Sequence, residues 1–113
     1  MAAVYVNNLV INAGTNFSQL FTLEETATNS AYNLANYTVE SQMRKWSGST
    51  SAVTFTTTIQ DQTSGSILLE LSALQTSSIK PGRYIYDVVI TDNYGVKNRV
   101  IEGMVLVREG ATH

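Results

Sequence analysis

Two stretches decide the fold: Gly65-Ser66-Ile67-Leu68-Leu69-Glu70-Leu71-Ser72-Ala73-Leu74-Gln75, and the later Pro81-Gly82-Arg83-Tyr84-Ile85-Tyr86-Asp87-Val88. Ile67, Leu69 and Leu71 recur every second residue, which is the period of a half-buried strand. Ser72 can cap a short helical turn. Pro81 and Gly82 then stop it. A new strand follows over Arg83–Thr91. Asp87 is costly to bury unpaired, so it marks the outer side of that strand. Tyr84 and Tyr86 therefore face inward.

Outward from this centre the same period repeats. Asp92-Asn93-Tyr94-Gly95 is a hairpin turn, and Lys97–Arg108 is the next strand. Upstream, strands are expected over Val4–Ile11, Asn16–Glu24, Asn36–Lys45 and Ala52–Gln60. Phe17, Phe21 and Leu23 share one face of the second. Val39 and Met43 point inward from the third, and Val53, Phe55 and Ile59 from the fourth. Asn12-Ala13-Gly14, the polar run Glu25–Asn33, Ser47–Ser51 and Asp61–Gly65 separate them as turns and loops. About seven strands at roughly ten-residue spacing predict one all-β domain over residues 1–113. Its expected form is an immunoglobulin-like antiparallel β-sandwich.

In such a sandwich a tyrosine near the start of strand F turns its hydroxyl back onto the preceding backbone. Tyr84, just after Gly82, occupies that place. Tyr86 holds the position of the antibody cysteine. This chain has no cysteine, so the corner must hold by packing and one phenol hydrogen bond.

Composition narrows the function. Cysteine is absent and the single histidine is His113, so thiolate metal sites, cysteine nucleophiles and an internal catalytic imidazole are excluded. A net charge of −2 argues against general nucleic-acid binding. No apolar run is long enough for a membrane-spanning helix, and the amino end lacks the basic start and apolar stretch of a signal peptide. No cofactor is expected. Asp87 and Glu102 are the one candidate carboxylate pair, but they lie on sheet rather than in a cleft. Asp92 and Asn93 supply too few oxygens for calcium.

The outer parity set by Asp87 and Glu102 carries an unexpected residue type. It places Ile85 and Val89 outward on one strand, and Val100, Met104 and Leu106 outward on the next. A contiguous apolar patch of this kind marks a protein interface. Trp46 and Tyr94 are loop aromatics able to stack on a sugar.

The chain also resembles a family. The residues are Gly14-Thr15-Asn16-Phe17, Tyr32-Asn33-Leu34-Ala35-Asn36-Tyr37-Thr38-Val39, Gly65–Leu71, Pro81–Val88 and Arg99-Val100-Ile101-Glu102-Gly103. Together they look like small virion structural proteins of tailed bacteriophages, particularly marine cyanophages. They are also similar to the amino-terminal domain of phage baseplate upper proteins. The likeness covers nearly the whole chain and is most specific around Pro81-Gly82-Arg83-Tyr84. It implies an assembly module of the virion, with no enzyme activity and no cofactor. Its implied partners are copies of itself and neighbouring tail, baseplate or capsid proteins. Baseplate members continue into a longer portion, whereas this chain stops at His113, so a free-standing tail, neck or decorating piece is expected. The alternative is a carbohydrate- or host-surface-binding module using Trp46 and Tyr94.

Overall fold

The computed structural model describes residues 5–24 and 32–111. Along the chain run β1 (Tyr5–Val6), β2 (Leu9–Asn12), β3 (Phe17–Thr22), β4 (Thr38–Arg44), β5 (Ala52–Thr54) and β6 (Thr56–Asp61). After them come β7 (Ser66–Leu71), α1 (Ala73–Ser77), β8 (Gly82–Thr91) and β9 (Lys97–Arg108). One sheet has the order β1-β9-β8-β4-β5, with β2 also on β9. The other has the order β3-β7-β6. The protein is an all-β sandwich of these two sheets. Among the described residues no helix is long and apolar enough to cross a membrane.

Two expected strands each divide in two. The first splits at Asn7-Asn8 into β1 and β2, and its start at Val4 lies outside the described residues. Both pieces pair with β9 in parallel, so the sandwich is not antiparallel throughout. The break has side-chain and backbone causes. The Asn7 N–H donates to the Glu102 carbonyl at 3.0 Å, and the Asn8 side-chain oxygen accepts the Met104 N–H at 3.0 Å.

The fourth expected strand splits at Phe55. Its first part, β5, pairs with β4, and its second part, β6, pairs with β7 in the opposite sheet. Phe55 is buried at the crossing. Its ring centroid lies 5.9 Å from that of Phe17 and 6.3 Å from that of Tyr86, so one side chain joins both sheets. The Thr57 hydroxyl adds a polar link by donating to the Val39 carbonyl at 2.9 Å.

The core follows the expected alternation elsewhere. Met43, Ile67, Leu69, Val88, Ile90 and Val105 are buried between the sheets. The expected helical turn is α1, and Ser72 caps it. The Ser72 hydroxyl accepts the Gln75 N–H, and the Gln75 side chain accepts the Ser72 N–H, a reciprocal capping box. Buried Thr76 fastens α1 to the turn before β3. Its hydroxyl accepts the Gly14 N–H at 3.0 Å and donates to the Thr15 carbonyl at 2.7 Å.

These contacts predict a ranked cost. Phe55→Ala should lower stability by about 3–5 kcal/mol, through lost contact and a cavity. Thr76→Val should cost about 1–3 kcal/mol, because two backbone groups lose their partner. Ser72→Ala should cost about 1 kcal/mol. Urea denaturation of the three variants gives the order directly.

Candidate interaction surface

The outer face of the larger sheet is built on β8 and β9. Ile85 and Met104 are direct cross-strand partners, and Leu106 sits opposite Arg83. β2 extends this row, because Val10 lies beside Leu106 in the parallel ladder. Met104 is 48% exposed and Val10 50%, with Ile85 and Leu106 close behind. Val89 is half-buried on the same side. Val10 was missed in the sequence because its strand could not be assigned a sheet.

Val100 does not belong to this face. It is 1% exposed and lies in the core. The register of β9 against β8 slips between Val88 and Val89: Val88 pairs with Ile101, but Val89 pairs with Arg99. Val100 is the extra residue of a bulge, and a one-residue slip exchanges the two faces. A signal was present in the sequence. Arg99 and Glu102 stand three apart, so an unbroken strand would bury one of them. The bulge lets both face water.

Polar groups border the apolar row. Asp87 and Glu102 face each other across β8 and β9. Arg99 lies between them, with its guanidinium 3.2 Å from Asp87 and 4.0 Å from Glu102. The three side chains are well solvated, so these pairs contribute at most about 1 kcal/mol each. An open depression of about 520 Å³ lies over this region, lined in part by Arg44, Ile85, Asp87, Arg99 and Met104.

Behind the face stand the two tyrosines. The Tyr84 hydroxyl donates to the Lys80 carbonyl at 2.6 Å, four residues upstream. The Lys45 ammonium lies 4.9 Å above its ring centre. Gly82 leads into this corner at φ +145°, and a side chain there would meet the Lys45 ammonium. Tyr86 is buried, and its hydroxyl donates to the Asn7 carbonyl at 2.5 Å. Burial pushes the Tyr86 phenol up to about 12.

Trp46 and Tyr94 do not come together. Trp46 follows β4, whose last residue, Arg44, pairs with Ile85. Tyr94 lies beyond Thr91, which pairs with Thr38 at the other end of β4. At about 3.3 Å per residue, the length of β4 alone separates them by about 20 Å. Trp46 is 61% exposed and packs beside Gly48. The Asp92 carboxylate is used locally, accepting the N–H groups of Tyr94 and Val96 at 2.9 Å each. The Asn16 side chain accepts the Ala73 N–H, and Asn36 sits in a turn at φ 65°.

No family model and no curated protein matches the chain. Solved structures do. One is a mutant of the SrpA adhesin from Streptococcus sanguinis, with a TM-score of 0.52 and 7% identity, covering 96% of this chain and 56% of that one. Another is an internalin-like protein of Listeria monocytogenes, with a TM-score of 0.44 and 19% identity, covering 96% of this chain and 28% of that one. The chain thus spans little more than half of the adhesin structure. At that identity the likeness to the adhesin is one of fold alone.

The buried phenol gives a pH prediction. Tyr86 holds its proton more tightly when folded than a free phenol, which titrates near pH 10.0. The folded protein therefore binds more protons above that pH, and stability falls as pH rises from about 10 toward about 12. Tyr86→Phe should flatten this fall and cost about 1 kcal/mol at neutral pH. Chemical denaturation of both proteins across that range checks it.

Proposed function

We propose that this chain is a non-enzymatic structural module of a phage virion that binds copies of itself or neighbouring tail, baseplate or capsid proteins. The resemblance of Gly65–Leu71 and Pro81–Val88 to small virion proteins of tailed phages, cyanophages included, supports the reading. One observation carries it. Val10, Ile85, Met104 and Leu106 form an apolar row on the outside of the sheet, where a solitary sandwich is polar. β1 and β2 lie beside β9 at the sheet edge rather than over this row. A full interface needs about 800 Å² per partner, so the row serves as its centre and the flanking charges as its rim. In this reading the protein works in the particle, holds no cofactor and contacts neither nucleic acid nor membrane.

Met104→Glu tests the proposal. Light scattering across a dilution series should give a multimer for the parent chain and a smaller mass for the variant. A multimer unchanged by the substitution would remove this face from the assembly.

Carbohydrate or host-surface binding is the second reading, and the exposed indole of Trp46 favours it. Tyr94 is too distant to share that site. Glycan-array binding that disappears in Trp46→Ala would support it, and binding that survives the substitution would exclude Trp46.

A further inference from the structure

The strand registers sort the charges toward opposite poles. The twelve residues of β9, at about 3.3 Å each, run along most of the 45 Å long axis. Arg108 lies beside Asn12 at one end of β9. Near that end Arg83 pairs with Leu106, and Arg44 with Ile85. Lys45 covers the Tyr84 ring, and the backbone carbonyl of Lys80 accepts the Tyr84 hydroxyl. Five of the seven lysine and arginine residues thus gather at this pole, against two carboxylates there, Glu109 beside Arg108 and Glu70 next to the last residue of β7. The opposite pole holds Asp92 in the hairpin and Asp61 at the end of β6. Glu24, which follows the Leu23–Gly65 contact, lies there too, and Glu40 lies toward it on β4. The two remaining cations are already paired: Lys97 with Glu40, and Arg99 with Asp87 and Glu102.

The poles also differ in shape. The basic pole has a depression of about 550 Å³ between the loop after β4 and the segment before β8. Lys45, Val53, Ile79, Lys80 and Tyr84 help to line it. The acidic pole ends in the β8–β9 hairpin tip, where Tyr94 is 85% exposed. That tip is held by its own bonds. The Asp92 N–H donates to Val96, the Gly95 N–H donates to Asp92, and the Asp92 carboxylate accepts two more N–H groups. The Tyr94 ring has no part in them.

We propose that the hairpin tip of one copy seats in the basic depression of the next, joining copies head to tail. Charge selects this partner and orientation, because like poles repel and unlike poles attract. In the seated pair the Tyr94 ring meets the apolar wall of Ile79 and Val53. The lysine ammonium groups lie over it, an attraction aromatic rings offer to cations. A contact between different surfaces of one chain is heterologous, so repetition gives a ring or a filament. This inference rests on the assembly reading but uses a different surface from the outer sheet face.

Two full-length variants test it: Tyr94→Ser at the tip, and Lys45→Glu with Lys80→Glu in the depression. Thermal melting confirms that each is folded, and Lys80→Glu alone replaces the double variant if the latter melts early. Carried together with Met104→Glu, which removes the sheet-face contact, each variant should appear in light scattering as a single chain. Their equimolar mixture should form pairs and nothing larger, since only one intact tip and one intact depression remain per pair. Association of the parent chain should weaken as ionic strength rises from about 0.01 M to about 1 M, where the Debye length falls from about 30 Å to about 3 Å. A mixture that stays single-chain, variants that assemble like the parent, or a parent that never associates would each overturn the proposal. Association abolished by Met104→Glu but untouched by Tyr94→Ser would overturn it too, while upholding the sheet-face contact.

Discussion

One buried phenol joins three strands of the larger sheet. The Tyr86 hydroxyl on β8 reaches past β9 to the Asn7 carbonyl between β1 and β2. It can do so because its cross-strand partner is Gly103. A side-chain carbon at Gly103 would stand 2.3 Å from the Asn7 oxygen, which no folded arrangement tolerates without displacing that backbone. The glycine and the tyrosine are therefore one device. A disulfide between the sheets is unavailable to a chain without cysteine. The inner end of this tyrosine instead packs on Phe55, where the chain crosses to the other sheet. Hydrogen bond and ring contact together link the amino-terminal strand, both strands of the hairpin and the sheet crossing.

The consequences reach the outer surface. With β1 and β2 held along the free side of β9, the amino-terminal segment completes the sheet at its edge. Neither of these two strands folds across its outer face. Val10 is thereby added to the apolar row instead of covering it. The same ladder fixes β9 on both sides, by β8 and by the amino-terminal strands. Contact residues on such a strand need little ordering when a partner arrives, which lowers the entropy cost of association.

Much of this was legible in the sequence, for physical reasons that differ by element. Ser66–Leu71 and Lys97–Arg108 were readable to their ends because turn residues bound them on both sides. The short helix was readable because Ser72 and Pro81-Gly82 supply opposite boundary signals. The tyrosine corner was readable from spacing alone. Phe55 was not. A residue in the middle of an alternating run gives no sign that its neighbours pair in different sheets, since both halves keep the same inward parity. Asn7-Asn8 was hidden for a related reason: parallel pairing to a strand nearly a hundred residues away leaves no local mark. Val100 failed through the assumption of an unbroken period. The unequal spacing of Arg99 and Glu102 was the visible trace of the bulge.

The bulge also shapes the surface in a way an unbroken strand could not. Had the parity of Glu102 continued to the hairpin, Val100 would have extended the apolar row toward the acidic pole, and Arg99 would have been driven into the core. The slip instead sends Val100 inward and brings Arg99 between Asp87 and Glu102. The apolar row is thus confined to the half of the sheet nearer the basic pole, and an ion-paired charged patch fills the middle. That division separates the sheet-face contact from the hairpin tip, so the two surfaces can be occupied at once. A contact on the sheet face depends on apolar burial and resists salt, whereas a contact between the poles depends on charge and yields to it. One strand with one extra residue therefore sets apart the apolar row and the hairpin tip, the two surfaces proposed for association, which differ in physical character.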